Sequence, residues 1–319
     1  MEARNVTIDR MKGIGILLMV LGHCAIPLIL NKAIFAFHMP LFFIVSGYLY
    51  KEKTIRNVIS RNFKKILIPY FITIAIVTPI CLLRYGNDWI LTILFTKNVP
   101  SICGYDWRGY IGPLWFLLAF FNTALFFNII KRIKCEVTEI IVLLVVFEAA
   151  WIFYSINNSI LPFQLFQTTG CAIFMYLGLL IKEHLEINKN RNKYIILSVI
   201  CFIPIVYFGQ LSMASFEYRL NILQFIGGVC GTYLLYALIH NFKSKKLALL
   251  GRNSLCLMCC HSIDYFSMGG AKIASLLCNS GLEFYFIIEF LTHTIIMIVL
   301  ATIMYKIKIL RNAFSMSLA

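Results

Sequence analysis

A chain of 319 residues that is 60% hydrophobic and 13% charged, with mean hydropathy +0.82, belongs in a bilayer, because a soluble domain carries about 25% charged residues. The formal net charge of +15 does not signal nucleic acid. The cations stand in short clusters between apolar runs, which is how membrane topology is written. The eleven cysteines, scattered mostly through those runs, do not form a secreted disulfide framework.

Hydropathy predicts an all-α integral membrane bundle of ten spans: 12–30, 34–50, 66–84, 112–130, 137–154, 161–181, 194–210, 219–240, 250–268 and 284–305. They form one membrane-embedded domain over 1–319. Charge supports the alternation. Of 29 Lys and Arg, only Lys32, Arg84, Lys97, Arg108, Arg219 and Lys272 fall on the outer side, which leaves both termini cytoplasmic. The first apolar run continues from Ile14 to Leu30 without a small-residue cleavage pattern, so it reads as a retained span.

Span one carries His23, eleven positions after Lys12. In a continuous helix that is about 16 Å, close to the middle of a core about 30 Å thick. An ionisable side chain at that depth is costly and is a functional hypothesis by default; the bland alternative is a histidine that glues helices together. Span two opens near His38 and Pro40 and contains Ser46-Gly47, which suits a bent, closely packed helix. Arg61, Lys64 and Lys65 stand at the cytosolic end of span three. Arg61 and Lys65 are four apart and share a face, so they read either as topology signals or as a phosphate clamp.

The outer loop 85–111, with Asp88, Trp89, Asp106, Trp107 and Arg108, is a possible lid or acceptor site. Glu148 lies in span five. Span nine contains His261 with Asp264 three residues on, and span ten contains Glu289 and His293 at helical spacing. His23, His261 and His293 are thus expected at similar depth, with carboxylates to orient them. That pattern suits acid–base chemistry and equally a proton relay in a transporter. Cys256, Cys259, Cys260 and His261 do not make a metal site, because a structural zinc wants four converging ligands, and no metal is expected. Cys103 and Cys278 both fall in outer loops and are a possible pair.

The blocks "IDRMKGIGILLMVLGH", "FAFHMPLFFIVSGYLY", a basic run ending "LIPY", "GPLWFLLAFF" and "LGRNSLCLMCCH" occur in this order. Together they resemble the acyltransferase-3 family of bacterial membrane O-acyltransferases, in particular its fucose 4-O-acetylase-like branch. The resemblance implies that Lys12 and His23 are the family's basic residue and essential histidine, ten positions intervening. Arg61 and Lys65 match the family's second basic pair, where many members have arginine at both places. It further implies acyl transfer, usually of acetyl, from coenzyme A to a hydroxyl of a cell-envelope carbohydrate, glycolipid or related acceptor. A bacterial inner-membrane location is implied too.

The expectation is therefore that Arg61, Lys64 and Lys65 hold the phosphates of acetyl-CoA and that Lys12 guides it in. His23 is the general base, with acyl-histidine formation as the other route. His38 and His261 lead the candidate oxyanion donors, ahead of Asn253 and Ser254, and Trp115 packs the cavity wall. The competing class is a transporter of a small solute through the same polar cavity.

Overall fold

The computed structural model describes residues 5–86, 112–157, 161–185, 190–278, 282 and 284–316. Its helices in chain order are α1 (Val6–Gly22), α2 (Leu28–Tyr48), α3 (Ile55–Asn62), α4 (Ile68–Tyr85), α5 (Trp115–Ile130), α6 (Glu136–Asn157) and α7 (Leu165–His184). There follow α8 (Arg191–Phe208), α9 (Leu223–Ile239), α10 (Lys245–Arg252), α11 (Ser254–Ser267), α12 (Gly269–Leu277), α13 (Tyr285–Lys306) and α14 (Lys308–Ala313). Among the described residues, seven helical stretches are long and apolar enough to cross a membrane, and α9 is a shorter apolar helix. The chain is an all-α, multi-pass membrane protein. Of the predicted outer loop, residues 87–111, Cys103 included, lie outside the described residues; Cys278 carries a free thiol.

Two predicted spans are corrected. The run 12–30 is not one helix: α1 starts at Val6 and stops at Gly22. Asn5 caps its start, accepting from the backbone of Thr7 and Ile8. Pro27, which has no N–H and restricts the residue before it, prevents continuation, and α2 begins at Leu28. The run 250–268 is likewise broken, at Asn253, between α10 and α11. At 14 residues α11 is about 21 Å long, shorter than the core of a bilayer. Hydropathy averages over such breaks, because the residues that make them are themselves compatible with lipid.

Two helix crossings bring backbones into direct contact. A Cβ on Gly47 of α2 would lie 1.7 Å from the carbonyl oxygen of Met175, and one on Gly178 of α7 would lie 1.9 Å from that of Ile44. Reciprocal glycines thus clamp α2 to α7. Close approach of this kind supplies the packing that hydrophobicity cannot supply between helices in lipid. The same device joins α1 to α10, where Gly251 faces the backbone of Asp9 and Gly13 that of Leu247. Asp9 is buried and pairs with Arg252 at 3.4 Å. The clamps fix α2 against α7 and α1 against α10, and every predicted catalytic residue except His261 lies on, or at the end of, α1 or α2.

A short antiparallel hairpin, β1 (Leu211–Ser212) with β2 (Glu217–Tyr218), joins α8 to α9. Its Phe216 and Tyr218 pack edge-on against Phe147 of α6. Gln167 of α7 donates to the carbonyl of Ala214 at 2.9 Å, which fixes the hairpin tip over the end of the bundle that holds His23.

Candidate active site

Because α1 ends at Gly22, His23 is the C-cap of that helix, half-buried, rather than a residue in mid-helix. Its backbone N–H bonds Val20 O at 3.1 Å. The exposed end is covered from two sides. Asn31 of α2 donates to Gly22 O at 3.2 Å, and Glu289 of α13 accepts from the N–H of Ala25 at 2.8 Å. The turn that carries His23 is therefore pinned before and after the imidazole.

Around that turn the structure gathers the polar residues that the sequence spreads over three spans. The rings of His23 and His261 stack, with centroids 5.4 Å apart and 29° between planes; Tyr265 lies 5.5 Å and Phe35 6.2 Å from the His23 ring. His293 stands edge-on to His261 at 5.9 Å. Its Nδ1 donates to the Asp264 carboxylate, whose other oxygen accepts from the N–H of Gly270 at 2.8 Å. On the far side of the ring, Nε2 is 4.0 Å from Glu289. Asp264 and Glu289 thus bracket one imidazole, and Glu289 also touches the His23 turn. Glu148 is not part of this group: it accepts from Asn221 on another part of the bundle.

The two histidines ranked as oxyanion donors differ in their hydrogen bonds. His38 is buried, and its Nδ1 bonds the carbonyl of Ile34 at 2.8 Å. A carbonyl only accepts, so this bond assigns the N–H to Nδ1 and leaves Nε2 of a neutral ring with a lone pair. In that tautomer His38 offers an acceptor. His261 is fully buried, and neither of its nitrogens has a hydrogen-bond partner among the described residues. Buried polar atoms are nearly always satisfied, so this orphaned imidazole beside His23 is a candidate donor or acceptor, although it lines neither of the two cavities along α1. Asn253 spends its side-chain amide on Leu249 O, and Ser254 lies in the cavity at the opposite end of α11.

Two cavities approach each other along α1. The larger, about 500 Å³, is lined at one end by Lys12, Lys51, Lys53, Arg61 and Lys65. Arg61 and Lys65 share a face as their spacing implies, across the π-helical turn Phe63–Leu67. Lys64 does not line the cavity and is exposed. The sequence pattern did not single out Lys51 and Lys53, although both stand in the same basic cluster. The smaller cavity, about 170 Å³, is lined by His23, His38, Phe35, Trp115 and residues 212–214 of the hairpin. Met19 and Met39 line both. The two cavities are thus separated by little more than two methionine side chains.

The three candidate metal ligands His261, Asp264 and His293 have donor atoms within 4.8 Å of one another. Ligands of a tetrahedral zinc sit about 3.3 Å apart, and one Asp264 oxygen is already spent on His293. The set fits a carboxylate–imidazole pair better than a formed metal centre. The cysteines before His261 point elsewhere: Cys256 and Cys260 contact Met316 and Met304.

The acyltransferase-3 family profile, described as an acyltransferase domain, matches residues 5–306. Nodulation protein NolL of Sinorhizobium fredii is 29% identical over 209 residues, an alignment covering 59% of this chain and 51% of that protein. The chain therefore spans about half the length of the curated relative it matches. No solved structure matches it.

Proposed function

The chain belongs to the acyltransferase-3 family, and on that premise we propose that it is a membrane O-acyltransferase. It moves an acyl group, acetyl in the simplest case, from cytosolic acyl-CoA to a hydroxyl of an envelope carbohydrate or glycolipid at a bacterial inner membrane. The observation that carries this reading is the pair of cavities that meet at Met19 and Met39, cations lining one and His23 the other.

In this reading the phosphates of CoA lie against Arg61, Lys65, Lys51 and Lys53, with Lys12 deeper along α1. Charge-assisted bonds to phosphate are the strong ones, and arginine adds a planar fork. The pantetheine arm follows α1 from Lys12 towards His23, a rise of about 16 Å along the helix. The thioester then reaches the small cavity while the nucleotide stays at the basic end. His23 takes the proton of the acceptor hydroxyl as its oxygen attacks the thioester carbonyl. The His261 N–H bonds the oxyanion of the tetrahedral intermediate. Collapse breaks the C–S bond, and the CoA thiolate takes the proton from His23. An ester and free CoA result, with no net proton released.

The test is transfer of labelled acetyl from acetyl-CoA in inverted membrane vesicles that contain the wild type or His23→Ala. Label in the carbohydrate or lipid fraction with the wild type only supports the assignment. Label that persists with His23→Ala overturns the role of His23. No label with either, the protein being intact in the membrane, favours a transporter, which solute uptake would then reveal.

A further inference from the structure

The passage between the two cavities is the least explained part of this arrangement. Met19 of α1 and Met39 of α2 are both buried, and both line the basic cavity and the His23 cavity. They sit where α1 and α2 face each other, so neither helix can withdraw without opening the Gly47–Gly178 or Gly13–Gly251 contacts that fix their positions. Any widening must come from the side chains. Methionine is suited to such a position, being unbranched, with three rotatable bonds and a soft thioether, so that it adapts to the shape of its neighbours. A leucine or phenylalanine pair would make a stiffer barrier.

The space beyond the methionines is small. At about 170 Å³ it is close to the roughly 150 Å³ cavity that accepts one benzene, although this pocket is partly open rather than enclosed. It must hold the acyl group and the attacking hydroxyl together. Its walls are bulky: Phe35 stands edge-on to both His23 and His38, and Trp115 is buried. The basic cavity, about 500 Å³, imposes no such limit.

We propose that Met19 and Met39 form a flexible throat, and that the small chamber beyond it selects the acyl group by length, passing acetyl and propionyl and refusing medium chains. This rests on the acyltransferase reading above. A longer acyl-CoA still docks its phosphates at the basic end, but its thioester stops short of His23, because the chain ahead of the carbonyl finds no room.

The experiment uses inverted membrane vesicles of the expressing cells, supplied with labelled acetyl-, propionyl-, butyryl-, hexanoyl- or octanoyl-CoA. For the wild type, transfer should fall at least tenfold between acetyl and hexanoyl, and unlabelled hexanoyl-CoA should inhibit acetyl transfer competitively. Met39→Ala and Trp115→Ala, each checked for membrane insertion, should raise the hexanoyl-to-acetyl ratio at least fivefold. Met39→Leu, which nearly conserves volume, should not raise it. Equal use of hexanoyl and acetyl by the wild type overturns the length filter and leaves the acyltransferase intact. So does a wild-type preference that neither inserted alanine variant relaxes. Should both alanine variants fail to insert, the two wild-type measurements decide. No transfer from any acyl-CoA overturns the acyltransferase reading and the filter with it.

Discussion

The carboxylate of Glu289 accepts the backbone N–H of Ala25 at 2.8 Å, so the first turns of α13 hold the turn that carries His23. The bond joins residues at opposite ends of the chain and reaches the backbone two residues beyond the imidazole. The bond is exposed, so losing it costs about 0.5–1.5 kcal/mol. The cost should appear as lost alignment of His23, a fall of roughly 2- to 10-fold in kcat for Glu289→Ala, with KM for acyl-CoA little changed. Glu289→Gln keeps an acceptor oxygen and should recover much of the rate. Steady-state kinetics on both variants check this; equal losses for Ala and Gln would point to the charge instead.

The contrast between His38 and His261 separates two roles that the sequence left together. If His261 supplies the oxyanion bond, His261→Ala should lower kcat about 100- to 1,000-fold, the usual cost of one such donor. His38 gives its Nδ1–H to Ile34, so replacing it removes an acceptor and part of a chamber wall, not an oxyanion donor. His38→Gln should therefore cost less than His261→Gln in kcat. The reverse order would move the donor to His38.

Much of this was legible in the sequence. Apolar length and charge alternation marked most of the long helices, and the collinear blocks around Lys12, His23 and His38 named the family. The expected depth of His23, His261 and His293 anticipated their meeting. What hydropathy hides is where an apolar helix stops. The chain leaves helical geometry at His23, ahead of Pro27, and again at Asn253, inside runs that look continuous. Long-range register was hidden as well. Nothing local says that Glu289 reaches Ala25, or that residues 212–214 of a two-residue-strand hairpin roof the His23 chamber. Lys64 illustrates the limit on the basic side: a cluster predicts cations at one end, but only helical phase decides that Arg61 and Lys65 line the cavity while Lys64 does not.

That phase is testable. Charge-assisted bonds contribute about 1.5–3 kcal/mol each, so Arg61→Ala or Lys65→Ala should raise KM for acetyl-CoA roughly 10- to 100-fold. Lys64→Ala should stay within about twofold. Equal effects at all three positions would mean a diffuse field rather than a site, and that effect would disappear at high salt.

Gly47 and Gly178 offer a test of the scaffold. A side chain on either meets a backbone carbonyl of the partner helix, which no rotamer change relieves. Gly178→Val should destabilise the detergent-solubilised protein by several kcal/mol, near the top of the range for single substitutions. It should be read as an early unfolding transition in a thermal scan, or as failure to insert. Gly86 has open space around its Cβ position, but its φ of +62° with ψ of −150° lies in a region nearly exclusive to glycine, so Gly86→Asn should also lower stability, by about 1–3 kcal/mol of backbone strain rather than by a clash.

Lys53 gives the last prediction, because its position has opposite consequences for binding and for stability. It lies in the connection between α2 and α3, lines the basic cavity, and has its pKa lowered by partial burial first and then by Arg61, Lys65 and Lys51. A lysine whose folded pKa is below the unfolded value of about 10.4 binds its proton more weakly in the native state. Protonated Lys53 therefore works against folding at neutral pH, and that cost is relieved as pH rises from the lowered pKa to the unfolded one. For acyl-CoA the sign is reversed, since the phosphates need the charge. Lys53→Gln should thus raise Tm slightly at pH 7 while raising KM for acetyl-CoA. In the wild type, KM should begin to climb with pH earlier than an ordinary lysine would dictate, and Lys53→Gln should remove that early rise. Thermal scans and KM measured between pH 6.5 and 10 test both halves. A variant that is less stable at pH 7 would show that Lys53 holds the connection together and is not a strained cation kept for its ligand.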